Sequence, residues 1–188
     1  RDRADARRRL LAALGESVVA GVATNLALLE AVLGSGAFAR AEFDTALLER
    51  HPADFIKPQG AADDRTLALA ALALLHERRA DSKGMSPWSD RSGWRLNQEP
   101  EHDVWLRDGD RVIQIGARGS WPNCILHLPG GAISASFAGW HDDRLQARLD
   151  GQPARALVIA AADAVLVIAE GRRHRFARHD PLSARPLA

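Results

Sequence analysis

The stretch Leu67-Ala68-Leu69-Ala70-Ala71-Leu72-Ala73-Leu74-Leu75 decides how this chain is read. It holds no polar residue, so a helix built from it is apolar on every face. A surface helix carries one apolar stripe, whereas a helix apolar all round must be enclosed all round. The stretch rises only about 14 Å as a helix, well short of the ~30 Å hydrocarbon core of a bilayer. The enclosing wall therefore has to be protein.

Around that stretch, no Gly or Pro interrupts Ala61 to Ala80. Asp63 and Asp64 fall in the first turns and Arg78 and Arg79 in the last, and both placements suit the helix dipole. The pattern predicts one long helix. After a loop from Ser82 to Asn97, strand signals recur at close spacing. Val104 to Arg107 and Arg111 to Arg118 flank Asp108-Gly109, a favoured hairpin turn. Ile125 to Leu128 precedes Pro129-Gly130-Gly131, and Ile133, Ala135 and Phe137 then alternate with Ser134 and Ser136. Leu145, Ala147 and Leu149 alternate with polar residues up to Asp150-Gly151. Ala156 to Ala160, Val165 to Ala169 and His174 to Arg178 complete about eight strands. Short turns join them, so neighbours run antiparallel. The fold class expected is α+β: a long central helix wrapped by an antiparallel β-barrel. Wrapping removes sheet edges and buries the helix on all sides. An open sheet with the helix on one face is the other arrangement.

Upstream, residues 1 to about 55 read as short helices around one strand. Asp2 to Leu14 is a helix of good helix formers, with Gly15 as a stop. Ser17 to Val22 is a β-branched run, read as the strand. Thr24-Asn25 offers an N-cap for Leu26 to Leu33, and Asp44-Thr45 caps a helix through Arg50. Pro52 and Pro58 bracket a connection.

Composition excludes several classes. Lys+Arg is 25 against 24 Asp+Glu, which leaves no basic excess for a nucleic-acid binder. The single cysteine, Cys124, allows no intrachain disulfide and is read as a buried, inert thiol. No apolar run reaches the ~18 residues that a membrane span needs. There is no phosphate loop, dinucleotide fingerprint, nucleophile elbow or zinc helix. Gly34-Ser35-Gly36 follows a helix, so it caps and turns. His141-Asp142-Asp143 has metal-ligand types, but adjacent residues of an extended segment point apart. His174 and His179, set among Arg172, Arg173, Arg175 and Arg178, read as the polar face of a strand. Tryptophan is more informative. Trp88 and Trp94 share the loop from Ser86 to Asn97 with Arg95, and loop Trp and Arg are typical interface hot spots. Trp88, Trp94, Arg95 and Asn97 are therefore the candidate partner contacts. Plugging the open end of the barrel is the other role for the Trp set, which also includes Trp105, Trp121 and Trp140.

Six short segments resemble a known family. Gly21 to Leu29, Ala37-Phe38 and Phe43 to His51 look like the C-terminal end of a biotin carboxylase domain. Ser86-Pro87-Trp88, Gly93 to Asn97 and Leu106 to Gly109 resemble the next region of the biotin-bearing alpha subunit of 3-methylcrotonyl-CoA carboxylase or a close acyl-CoA carboxylase. The resemblance implies three parts. Residues 1–56 would be the tail of biotin carboxylase, 57–180 a helix-in-barrel domain that contacts the beta subunit, and 181–188 the start of a linker to the biotin carrier. Without the rest of biotin carboxylase to pack on, residues 1 to about 55 would expose apolar side chains or self-associate. The start at Arg1 without Met and the Pro-bearing tail suit an excised piece of a longer chain. The resemblance also implies ATP, Mg²⁺ and biotin as cofactors of the parent enzyme but none in this fragment, which would be inactive alone. Lys57 and Lys83 lack the Met-Lys-Met setting of a biotin site. The implied partners are the carboxyltransferase beta subunit and the biotin carboxylase and carrier domains of the same chain. The implied location is the bacterial cytoplasm, or mitochondria in a eukaryote. A ligand-holding barrel of the lipocalin type is the competing function; its interior would have to be hollow.

Overall fold

A computed structural model describes residues 2–19, 22, 24–55, 60–80, 97, 99–142, 144–169 and 171–182. The chain divides into two compact units, Arg1–Gly60 and Ala61–Ala188.

The second unit is built around α6, Asp64–Ala80. Asp63 caps it: the carboxylate accepts from the backbone N–H of Thr66 at 2.8 Å, and its carbonyl accepts from Leu67 N–H. Every residue from Thr66 to Leu75 is buried, and Leu72 is 0% exposed. The wall is a closed barrel of β1 Glu101–Asp108, β2 Arg111–Arg118, β3 Asn123–Leu128, β4 Gly131–His141, β5 Arg144–Leu149, β6 Gln152–Ala160, β7 Ala164–Ala169 and β8 Arg172–Arg178, each antiparallel to the next. The enclosed rod expected from the Leu/Ala stretch is thus present. The helix starts at Asp64 rather than Ala61, because Asp63 is the cap.

Strand alternation sorts the side chains. Val104, Leu106, Ile113, Ile115, Leu126, Leu145, Leu149, Val165, Val167 and Phe176 point inward and are at most 3% exposed. An eight-stranded barrel has an interior that its own side chains normally fill. Here a helix fits as well because small residues line the contact on both sides. Ala68, Ala70, Ala71 and Ala73 of the helix, with Ala117, Ala135, Ala147, Ala154 and Ala156 of the wall, are all buried in one core. The turns follow local chemistry. Asp150 and Gly151 both have positive φ, as a tight two-residue hairpin loop requires, and they join Leu149 to Gln152. The first hairpin differs slightly from expectation: Asp108 still pairs with Arg111, so the loop is Gly109-Asp110. The barrel closes on a short seam, where β1 and β8 share only Leu106↔Arg178 and Arg107↔Ala177.

The first unit is helical. It comprises α1 Arg3–Glu16, α2 Leu26–Gly34, α3 Gly36–Ala39, α4 Leu47–Arg50 and α5 Pro52–Phe55. Asp2 caps α1 by accepting from Asp5 N–H at 2.8 Å. Arg7 of α1 donates to the carbonyls of Leu33 and Gly34, so it satisfies groups left open at the end of α2. Arg3 lies over the stacked rings of Phe38 and Phe43. Ser35 caps α3 by accepting from Phe38 N–H at 3.1 Å, which gives Gly34-Ser35-Gly36 the capping role read from its position.

Three sequence expectations are corrected in this unit. The run from Ser17 to Val22 forms no strand over its described residues, Ser17–Val19 and Val22. Every strand that the structure describes belongs to the barrel, so this run has no ladder to join. Gly15 does not stop α1, which continues to Glu16 and ends at Ser17. Pro52 opens α5 instead of bracketing a loop, since the first helical position needs no N–H.

Candidate functional site

The most distinctive chemistry lies at the mouth of the barrel where α6 ends. His76, one turn before the helix terminus, meets three aromatic rings there. It stacks on Phe137 at 4.7 Å, and lies 5.9 Å from Trp121 and 6.3 Å from Trp140. Trp121 and Phe137 touch at 4.8 Å. Trp121 comes from the β2–β3 turn and Phe137 and Trp140 from β4.

Trp140 reaches the mouth because β4 is irregular. Strict alternation from Ala135 and Phe137 would send it to the outer wall. The register shifts between Phe137 and Gly139, and Trp140 then pairs with the inward-facing Leu145. A β-bulge re-aims a side chain in this way. Gly139 carries φ of +130°, which a residue with a Cβ rarely adopts. Trp140 stays 42% exposed, so the cluster is a plug with one open indole.

The end of the helix is tied to both strands of the seam. Glu77 pairs with Arg178 of β8 at 2.6 Å, and Arg78 donates to the carbonyl of Asp103 in β1 at 2.7 Å. Beside Trp121 lies a small recess, lined also by Leu75, Arg78, Arg79, His102, Ala117, Gly119 and Cys124. Burial pushes the Cys124 thiol up to about 11, so it remains protonated and lines the recess as a small neutral group. It is half-buried rather than fully buried.

The residues predicted as partner contacts divide. Trp88, Trp94 and Arg95 lie outside the described residues. Asn97 is exposed in a turn just before β1, with φ of +57°, a conformation that Asn tolerates. Among the remaining tryptophans, Trp121 plugs the mouth as foreseen. Trp105 does not: it stands on the outer wall, 6.2 Å from His179. Sequence reading missed His76, Phe137 and the inward turn of Trp140. An isolated Gly inside a strand pattern, here Gly139, was the available signal for a bulge.

The polar candidates also have definite places. His141 ends β4 and approaches Asp142 at 3.2 Å, both well exposed. Among the described residues no group of three His, Cys, Asp or Glu side chains is placed to hold a metal. His174 corrects the polar-face reading of the last strand. It points inward beside Phe176 and is 6% exposed, while Arg172 and Arg175 face solvent. At that end of the barrel Asp63 is held below the usual carboxylate value of 3.8. The hydrogen bond from the Thr66 side chain is the largest cause, and the Thr66 N–H and the charges of His174 and Arg172 add to it against the opposing effect of burial. The mouth as a whole combines an open indole, stacked rings and rim arginines. That is the composition of an interface hot spot.

Residues 63–181 match the family described as methylcrotonyl-CoA carboxylase, alpha-subunit, BT domain. The mitochondrial methylcrotonoyl-CoA carboxylase subunit alpha of Dictyostelium discoideum is 30% identical over 118 residues, which cover 61% of this chain. The chain spans 17% of the length of that relative.

Proposed function

Because the chain belongs to the family of the methylcrotonyl-CoA carboxylase alpha-subunit BT domain, we propose that it docks a biotin-bearing alpha subunit onto the carboxyltransferase beta subunit. The enzyme so assembled would be a biotin-dependent acyl-CoA carboxylase, acting on methylcrotonyl-CoA in leucine degradation. In this reading residues 57–180 form the docking domain, residues 1–56 the tail of biotin carboxylase and residues 181–188 the start of a linker to the carrier. The location would follow the organism: cytoplasm in bacteria, mitochondria in eukaryotes.

The observation that carries the reading is the filled barrel. Leu67, Leu69, Leu72, Leu74 and Leu75 occupy the interior and are at most 5% exposed. A lipocalin-type barrel needs that volume for its ligand, so the competing function loses its site. The chain's two lysines also do not fit a biotin attachment site. Both lysines lack the Met-Lys-Met setting, as Ile56-Lys57-Pro58 and Ser82-Lys83-Gly84. No step of carboxylation is therefore assigned to this chain. Its contribution is geometric: by holding two subunits together it raises the effective concentration of the biotin arm at each active site.

The contacts proposed are the mouth, through Trp140, and the loop residues Trp88, Trp94, Arg95 and Asn97. Replacing Trp140, or Trp88 together with Trp94, by Ala in the full alpha subunit should weaken assembly with beta by about 2 kcal/mol or more, the size of an aromatic hot spot. Analytical ultracentrifugation of the mixed subunits checks this. Unchanged assembly in both variants would remove the docking role from the mouth and from that loop.

A further inference from the structure

We infer that the outer wall of the barrel at β6 and β7 receives an amphipathic helix of the carboxyltransferase beta subunit, with acidic side chains flanking its apolar stripe. The inference rests on the docking function proposed above and adds a second contact surface to it.

The sequence of these two strands departs from that of their neighbours. A strand with one face in the core and one in water alternates apolar and polar residues, whereas a strand covered on both faces reads as a continuous apolar run. Ala156-Leu157-Val158-Ile159-Ala160 and Ala164-Val165-Leu166-Val167-Ile168-Ala169 are continuous runs. Ala156, Val158, Val165 and Val167 belong to the core inside the barrel. Leu157, Ile159, Leu166 and Ile168 therefore stand on the outer face. Register brings them together. Leu157 pairs with Ile168 and Ile159 with Leu166, so the four form one square. Ile168 is 8% exposed although it is no part of the inner core, and the other three are partly exposed. On the opposite wall, the outer row Arg118, Ile125, Ser134 sets one apolar side chain between two polar ones.

Shape and charge select the occupant. Both strands lie within a closed barrel, so neither offers an open backbone edge to an added strand. Contact has to be made through side chains. Strands about 4.8 Å apart, with same-face residues roughly 6.7 Å apart along each, suit the i, i+4 neighbours of a helix stripe, about 5–6 Å apart. Arginines frame the square. Arg144 of β5 pairs with Leu157, and Arg155 precedes Leu157 on the same face; both are exposed. On the β8 side Arg175 pairs with Leu166 and is held by Asp163 at 3.0 Å. A second copy of this face would set arginine against arginine, which disfavours self-pairing. Acids on either side of an apolar stripe complement it.

Continuity with the mouth points to the beta subunit as the source. Arg144 pairs with His141 as well as with Leu157, and the adjacent Leu145 pairs with Trp140. A partner seated on Trp140 reaches the square by crossing one strand, β5.

The test measures assembly of the full alpha subunit with the beta subunit across a range of salt concentrations. Leu157→Thr with Leu166→Thr removes apolar surface and keeps strand-forming residues; thermal unfolding verifies the fold. This double variant is expected to weaken assembly roughly tenfold or more. Arg144→Glu with Arg155→Glu alters only exposed side chains, so it tests the same wall should the first variant fail to fold. It is expected to weaken assembly and to reduce its salt dependence. If Trp140→Ala weakens assembly while both wall variants leave it unchanged, docking stands and the wall contact is overturned. If the wall variants change only self-association of the alpha subunit, or only its binding to phosphatidylglycerol vesicles, the occupant is a second copy or a lipid surface and the inference is overturned. If neither Trp140→Ala nor the wall variants change assembly, docking at this end fails and the inference fails with it.

Discussion

Asp63 shows how much one side chain can contribute at the residue scale. It caps the helix that the barrel encloses, and hydrogen bonds to the ionised carboxylate hold its folded-state value below 3.8. A depressed carboxylate contributes stability that is fully present above the unfolded value and is lost as pH falls through the folded one. Asn caps a helix as well as Asp does but carries no charge. Asp63→Asn should therefore cost stability at neutral pH, and the gap to the parent protein should close progressively below pH 3.8. Urea unfolding at a series of pH values measures the gap; a constant difference down to the acid limit would contradict the assignment. Acidic residues at the helix start were legible in the sequence from dipole reasoning alone. That His174 faces inward and acts on Asp63 was not, because a run of Arg around one His looks solvent-facing until the strand's two faces are assigned.

At the scale of elements, α6 is the part on which the second unit depends. Leu72 lies at its centre and is wholly inaccessible. Leu72→Ala would open a cavity between helix and wall at a cost of about 2–5 kcal/mol. Chemical denaturation of the unit should show a loss in that range, and a loss under 1 kcal/mol would mean that the wall does not grip the rod. Alternation and turn residues made all eight strands visible in the sequence, within a few residues at their ends. The bulge in β4 was signalled only by the isolated Gly139, which does not tell which face the next side chain takes. That single shift carries Trp140 from the outer wall to the mouth. The Ser17–Val22 run failed in the opposite direction: its residues favour extended backbone, but a strand exists only where another strand can pair with it.

The whole molecule has two units of different completeness. Among the described residues of the first, Leu10, Val18, Val19, Val22, Leu29, Phe43 and Leu48 are large, apolar and exposed, in line with the expectation of uncovered apolar surface. The second unit has one continuous core. Residues 61–182 alone should therefore fold cooperatively and remain monomeric, whereas the full chain should self-associate as its concentration rises. Sedimentation velocity on the two proteins distinguishes them, and a monomeric full chain at high concentration would show that this apolar surface is not adhesive. The sequence by itself determined the enclosed helix and the antiparallel strands around it, because periodicity and turn chemistry are written within a few consecutive residues. Only the tertiary structure decided the seam, the ring cluster and the recess. Each of these joins residues far apart in the chain, and their meeting depends on barrel stagger and on the face that one bulge gives Trp140, which a local pattern does not fix.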